Sequence, residues 1–207
     1  MKYRELGAVH PDIDRALILQ RKFENLLDFY RIGPGPSSSH TVGPMRAAAF
    51  FRERLLAEGR EPARIHVDLK GSLSATGRGH GTDRGVLGGL LGWAPDRCDV
   101  DALRELPDTL DKSPVVPWGA ATVRLHAGDI AFVPYRQYAD EVLPHPNTLT
   151  LAAYDAQGRV LLEETWCSPG GGFVRTARVA RMERVMASAA AVPSSSREAL
   201  AMSRPVS

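Results

Sequence analysis

Residues 31–44 read RIGPGPSSSHTVGP, with three prolines, three glycines and three consecutive serines. So many prolines and glycines argue against a regular helix or strand here. The serines and His40 therefore form a polar turn, directly before a helix that Pro44 can begin. Free backbone N–H groups and the helix dipole make such a turn a candidate site for a carboxylate or phosphate. Serines that only cap a helix give the same pattern, so the spacing alone leaves both interpretations open.

On both sides of this turn, the spacing of apolar residues predicts the main elements. Apolar residues three and four apart predict helices over 11–30, 44–59 and 84–93, the last capped by Thr82 or Asp83. Alternation predicts strands over 63–70, 121–126 and 130–135, and a hairpin of 148–155 with 159–166. Residues 99–113 are ambiguous, 174–191 have helical composition, and a last short helix follows a turn. We therefore expect an α+β fold with one compact domain.

Three further polar segments could carry chemistry. Residues 71–83, GSLSATGRGHGTD, predict a glycine-rich loop in which Asp83 could orient His80. Residues 143–147, LPHPN, hold His145 between two prolines, which restrict the backbone on both sides. Residues 168–172, SPGGG, include three glycines without side chains, so another backbone segment or a ligand could approach closely there. Each segment could equally be a plain turn, strand entry or linker, but together the three histidines indicate one polar pocket for a small anionic or zwitterionic ligand.

Composition narrows the class of protein. Two cysteines in 207 residues exclude a disulfide scaffold and a cysteine-only cage for a cluster within one copy of the chain. There is neither an apolar stretch of roughly 18 residues nor an N-terminal signal, so we expect a cytoplasmic protein with no membrane contact. Residues 173–207 carry six Arg and two Glu, whereas the rest of the chain has a net charge of −2. The body is not basic and has no nucleic-acid motif, so we expect no nucleic-acid partner.

The four quoted segments, in this order, resemble the β domain of the iron–sulfur-dependent L-serine dehydratases (L-serine ammonia-lyases). The resemblance covers roughly residues 26–175 and begins with GPGPSSSHTVGPMRAA. It implies the serine dehydratase β-domain fold, which is related to an allosteric substrate-binding domain. It also implies conversion of L-serine to pyruvate and ammonia with a [4Fe–4S] cluster, held by the cysteines of an α chain or domain.

The same resemblance assigns roles to individual residues. His80 is the first candidate for proton transfer, His145 the second, and His40 belongs to the first motif. Candidate substrate-binding residues are Ser37, Ser38, Ser39, Thr41, Thr82, Asp83, Asn147, Gly170, Gly171 and Gly172. Which histidine is the base stays open at this stage.

The chain departs from the family because Cys98 and Cys167 match no cluster ligand. We expect the cluster to belong to a separate α chain, and no metal site in this chain alone. The predicted domains are an extension over 1–22, the β domain over 23–175 and a basic helical tail over 176–207, which could dock or link to the α half. The chain could be a subunit, a truncated enzyme or a non-catalytic module that binds L-serine or a small anion. Symmetric self-association is a reasonable default.

Overall fold

A mixed β-sheet lies at the centre of the computed structural model, which describes residues 33–190. Within these residues the sheet has seven strands in the order β2-β3-β1-β5-β6-β7, with β4 also paired to β1. Strand β1 runs parallel to β3 and β4, whereas the remaining pairs are antiparallel. The strands are β1 (Arg64–Gly71), β2 (Val115–Trp118), β3 (Ala121–Arg124), β4 (Ile130–Phe132), β5 (Asn147–Tyr154), β6 (Val160–Gly170) and β7 (Phe173–Thr176).

Helices connect and cover these strands. A π-helical turn over Ser38–Val42 runs straight into the first α-helix, and short 3₁₀ turns occupy Ala127–Asp129 and Tyr135–Gln137. The α-helices are α1 (Gly43–Ala57), α2 (Ser72–His80), α3 (Thr82–Leu90), α4 (Val100–Lys112) and α5 (Ala177–Ala190). The α+β fold class is therefore confirmed.

The core lies between one face of the sheet and helices α1, α3 and α4. Strand β1 shows why: Ile65, Val67 and Leu69 are buried in the core cluster, whereas the residues between them are partly exposed. Strands alternate side chains between two faces, so one face joins the helices and the other stays polar. A Cβ at Gly89 of α3 would lie 2.1 Å from the Met45 carbonyl oxygen, so only glycine permits this approach of α3 to α1.

The prediction of a loop over residues 71–83 is wrong for most of this range, because Ser72–His80 form helix α2. Glycine lowers helix propensity by about 1 kcal/mol relative to alanine, which is why the sequence suggested a loop. Tertiary packing overrides this, because Leu73 is fully buried and Gly77 lets Thr82 approach closely. Gly81 ends the helix with φ of 65°, a left-handed conformation that glycine adopts without a steric penalty.

The glycine segment after Cys167 is part of the sheet and not an open loop. Strand β6 continues through Ser168 and Pro169, and β7 begins at Phe173. Gly170, Gly171 and Gly172 all have positive φ and make the tight turn between the two strands. Helical structure accordingly starts at Ala177, after strand β7, and not at residue 174.

Other differences are smaller. The stretch 38–42, expected to be irregular, is helical because the prolines flank it and Ser37 caps it. The ambiguous residues 99–113 form α4, which buries Leu103, Leu106 and Leu110 on one face despite Pro107. Strand β2 went unpredicted, and the strands predicted over 121–126 and 130–135 end at 124 and 132. The 148–166 hairpin is confirmed.

The helix predicted over 11–30, the 1–22 extension and the last short helix lie outside the described residues. Within the described part of the chain, none of the helices has both the length and the apolar character that crossing a membrane requires.

Candidate active site

His40 is held at both ring nitrogens. Its Nδ1 lies 2.9 Å from Ser39 Oγ and its Nε2 lies 3.0 Å from Ser72 Oγ, at the start of α2. Ser37 caps the turn by accepting the His40 backbone N–H. Burial lowers the pKa of His40, and the neighbouring His80 lowers it further. His40 is therefore a neutral, fixed imidazole near pH 7.

His80 lies against His40, with the two ring centroids 4.9 Å apart. His80 Nδ1 is 2.9 Å from the Thr76 carbonyl oxygen, one turn earlier in α2. A carbonyl only accepts hydrogen bonds, so Nδ1 carries the proton and Nε2 keeps its lone pair in the neutral ring. Thr41 Oγ1 donates to the His80 carbonyl at 2.7 Å and ties α2 to the turn before α1. His80 thus has the tautomer of a proton acceptor at Nε2.

The serine hydroxyls of the first motif are largely used inside the protein. Ser37 Oγ and Ser39 Oγ are 3.3 Å apart and both approach His40 Nδ1. The Ser39 carbonyl accepts a hydrogen bond from Ser168 Oγ at 2.7 Å. The N–H groups of Ser38 and Ser39 precede the first hydrogen-bonded helical turn, so they have no intrahelical partner. The motif therefore offers backbone donors more readily than hydroxyls.

Thr82 and Asp83 do not cap helix α3, although the sequence predicted that one of them would. Gly81 is the cap residue of α3, and neither side chain makes a capping hydrogen bond. Asp83 also does not orient His80: the Thr76 carbonyl occupies His80 Nδ1, and Asp83 Oδ1 is buried without a hydrogen-bond partner within residues 33–190. The reason is the left-handed turn at Gly81, which starts α3 directly after α2 and moves both residues into its first turn.

His145 has the opposite hydrogen bonding. Its Nδ1 accepts the Asn147 backbone N–H at 2.9 Å, so in the neutral ring the proton is on Nε2. Burial lowers the pKa of His145, and the charges of Arg184 and Arg175 lower it further. The Asn147 side-chain amide donates to the Ser168 carbonyl at 3.0 Å. His145 is thus arranged to donate from Nε2.

The structure separates these histidines into two cavities, although one pocket was predicted. His80 lines a cavity of about 140 Å³ between residues 34–36, the Gly79–Gly81 turn, Arg84 and the first turn of α4. His145 lines another of about 310 Å³, with Cys167 of β6 and residues of β7 and α5. Hydrogen bonds still join the two sites, because Ser72 donates its N–H to the Pro146 carbonyl and bonds His40 through Oγ.

The glycine turn Gly170–Gly172 lies next to this network and not inside either cavity. Arg46 Nη1 donates to the Gly172 carbonyl at 3.0 Å. A Cβ on Gly43, where α1 begins, would lie 1.9 Å from Ser168 Oγ. At the predicted glycines themselves, a Cβ on Gly170 would meet nothing within 4 Å and one on Gly171 only the Phe173 ring at 3.1 Å, so their positive φ explains them better than a close approach of other backbone.

Sequence reasoning missed Ser72, Ser168 and Arg84 as parts of the site. Ser72 directly follows the last residue of β1, a position at which polar groups often collect, and this signal could have identified it. Ser168 belongs to the SPGGG segment, but the pattern of that segment points to its three glycines and not to the serine. Arg84 follows the GHGTD segment and had no signal of its own.

The two thiols do not form a metal site. Cys98 precedes α4, and Cys167 is buried in β6. Burial raises the pKa of both, for Cys167 to about 11, which disfavours the thiolate that binds metals. Within residues 33–190, no three His, Cys, Asp or Glu side chains are placed to hold a metal ion.

Comparison with known proteins identifies the family. Residues 25–179 match the model of the serine dehydratase beta chain. An L-serine dehydratase of Streptomyces coelicolor is 44% identical over 153 residues, covering 72% of this chain and 33% of that protein. One from Mycobacterium tuberculosis is 43% identical over 156 residues (73% and 33%), and one from Escherichia coli 39% over 150 residues (71% and 32%). The chain spans about a third of the length of these relatives. It belongs to the serine dehydratase beta chain family.

Proposed function

We propose that this chain is the β portion of an L-serine ammonia-lyase, which converts L-serine to pyruvate and ammonia together with an α chain. One observation carries the proposal: His80 has an Nε2 lone pair, a fixed ring and a cavity beside it. Such an imidazole is suited to take a proton from carbon, which is the first requirement of this reaction. The family match and the names of the relatives support the choice of substrate.

In this proposal His80 removes the α-proton of L-serine. The electron pair of that C–H bond forms the C=C bond as the β-hydroxyl leaves with its bonding pair and takes up a proton to become water. The resulting aminoacrylate tautomerises to an imine, which water hydrolyses to pyruvate and ammonia. Water lost in the first stage is consumed in the last, so the net reaction has no other reactant.

His40 serves as a positioning residue in this scheme. Hydrogen bonds to Ser39 and Ser72 fix its ring against His80, and its lowered pKa keeps it uncharged. A neutral neighbour does not repel the imidazolium that forms on His80, whereas a charged one would. Ser37 and Ser39 then act through His40. Roles of Ser38, Thr41, Thr82, Asp83, Asn147 and Gly170–Gly172 in substrate binding stay predictions.

The described residues of this chain do not fit the [4Fe–4S] cluster that such enzymes are expected to use. Cys98 lies in the segment before α4 and Cys167 lies in β6, and both are disfavoured as thiolates. We therefore propose that a cysteine-bearing α chain or domain supplies the whole ligand set. The cytoplasm, where thiols stay reduced, is the compartment we propose for the assembly.

The test is co-expression of this chain with a cysteine-bearing α chain under anaerobic conditions, with pyruvate formation from L-serine as the measurement. We expect turnover to require both chains. His80→Ala should lower kcat about 10²–10⁴-fold, the usual contribution of a general base. His66→Ala is the matched control, because His66 pairs with Asp68 on the polar face of the sheet and should leave turnover unchanged. Equal activity of the α chain alone would refute the proposal.

A second candidate is a non-catalytic module that binds L-serine or another small anion. It is favoured by the completeness of the His40–His80 arrangement and its cavity within this one chain. Turnover separates the two functions. A module would bind L-serine while adding nothing to the rate of the α chain, and His80→Ala would then change binding but not kcat.

A further inference from the structure

The cavity beside His80 is lined by an arginine that makes no ion pair within residues 33–190. Arg84, in the first turn of α3, lines this cavity. Its Nε is shielded from solvent and has no hydrogen-bond partner within residues 33–190. A guanidinium nitrogen removed from water without an acceptor is unfavourable, so the site favours an anion that supplies one.

The size and lining of the cavity suit a small carboxylate. Its volume of about 140 Å³ accommodates a ligand of a few heavy atoms. A guanidinium presents paired donors that match the two oxygens of a carboxylate. Val100 and Leu103 form an apolar wall of the cavity, and low polarity strengthens charge attraction. The uncapped N-terminus of α3 adds partial positive charge in the same place.

A second arginine in the cavity provides the contrast. Arg104 also lines it, but its Nη1 is 2.8 Å from Asp101 and its side chain is 63% exposed. An exposed arginine that already has an ion-pair partner gains little from another anion. The affinity of the cavity for an anion should therefore depend far more on Arg84 than on Arg104.

We propose that Arg84 binds the carboxylate of the amino-acid substrate in this cavity and so holds the ligand beside the His80 ring. The choice of L-serine as the ligand rests on the proposed function. The role of Arg84 as the anchor rests on the cavity and on the buried Nε, which has no hydrogen-bond partner within residues 33–190. The hydroxyls of Ser37 and Ser39 are engaged with His40, which leaves the carboxylate to another group.

The experiment is a nuclear magnetic resonance titration of the full 207-residue chain with L-serine, L-serinamide and inorganic phosphate. L-Serine should bind saturably and shift the His80 ring resonances. L-Serinamide lacks the carboxylate and should bind at least about tenfold more weakly, the effect of losing a hydrogen bond to a charged group. Arg84→Gln should weaken L-serine binding by a similar factor, Arg84→Lys should weaken it less, and Arg104→Gln should change Kd less than about threefold.

Several outcomes would overturn the inference. They are absence of L-serine binding to the wild-type chain, equal binding of L-serinamide, preference for phosphate, or an unchanged Kd in Arg84→Gln. The comparison of L-serine with L-serinamide needs no substitution, so it stands even if a variant folds poorly; melting temperatures of the variants check folding.

The role of Arg84 and the proposed lyase function can be refuted independently of each other. Arg84-dependent binding without turnover in the α–β assembly would refute only the lyase. Turnover in that assembly, with Kd and KM for L-serine unchanged by Arg84→Gln, would refute only the role of Arg84.

Discussion

His80 and His145 lie in neighbouring sites but have opposite hydrogen bonds at Nδ1. In the His80 site, the ring donates from Nδ1 to the Thr76 carbonyl, so Nε2 is free to accept a proton. In the His145 site, the ring accepts the Asn147 N–H at Nδ1, so Nε2 carries a proton to donate. The sequence motifs placed His80 before His145 as a candidate for proton transfer but left open which of them is the base. The backbone group that meets Nδ1 distinguishes them, and it depends on local secondary structure.

The secondary structure explains the difference. His80 lies in the last turn of α2, where a ring readily meets the carbonyl of the residue four earlier. His145 lies just before β5, in a bent Pro-His-Pro segment, where the ring meets the N–H of Asn147 two residues later. A helix end offers carbonyls and a strand entry offers an N–H, so the same side chain becomes an acceptor in one place and a donor in the other.

Glutamine at either position, in separate variants, tests this comparison and should give the largest difference in kcat. A glutamine amide at 145 can still donate a hydrogen bond, whereas an amide at 80 cannot take a proton. We expect His80→Gln to lower kcat of the α–β assembly about 10²–10⁴-fold. His145→Gln should cost about tenfold or less, the scale of one weakened hydrogen bond. Pyruvate formation from L-serine measures both. The reverse order of effects would show that His145 is the base.

Gly43 tests the link between the two sites. Ser168 Oγ donates a hydrogen bond to the Ser39 carbonyl, and the Ser168 carbonyl accepts one from the Asn147 side-chain amide. A Cβ on Gly43 would lie 1.9 Å from Ser168 Oγ. Because Ser168 is fully buried, Gly43→Ala should lower the free energy of unfolding by about 1–3 kcal/mol.

Gly79→Ala is the matched control for this substitution. Nothing lies within 4 Å of a Cβ on Gly79, in the exposed face of α2. The change should raise the free energy of unfolding by about 0.5–1 kcal/mol, because alanine loses less entropy in a helix. Urea unfolding followed by circular dichroism measures both variants, and equal effects would contradict the packing of α1 against β6.

The smallest effect concerns pH. Burial lowers the pKa of His40 and of His145 below the usual value of 6.5, so the unfolded chain binds protons more readily than the folded one. The stability that both contribute is complete above about pH 6.5 and is lost as pH falls through the folded-state values. Unfolding free energies between pH 7.5 and 5 should therefore decrease toward acid.

Replacing one histidine at a time divides this pH dependence between the sites. His40→Asn and His145→Asn should each flatten the curve. A wild-type curve that rises toward pH 5 would contradict the burial of neutral imidazoles.

The candidate site was predictable as a set of residues but not as an arrangement. Ser37–Thr41, His80 and His145 stand in polar, glycine- or proline-rich segments, and these are visible in the sequence. The pairing of His40 with Ser72 depends on contacts between segments far apart in the chain, and so does the burial of Arg84 Nε without a partner among residues 33–190. Helix α2 was not predicted because its two glycines give the segment a low helix propensity. The burial of Leu73 stabilises the helix, and that burial depends on the other elements that cover it.

By itself, the sequence determined the α+β class, most of the long strands, the helix that follows the SSSHTVGP turn and the family. These depend on periodicity and on local motifs, which are properties of neighbouring residues. Only the tertiary structure decided the tautomers of His80 and His145, the separation of their cavities and the conversion of a glycine-rich segment into α2. These depend on which backbone group or apolar side chain arrives from a distant part of the chain, and hydrogen bonding and burial act over a few ångströms regardless of sequence separation.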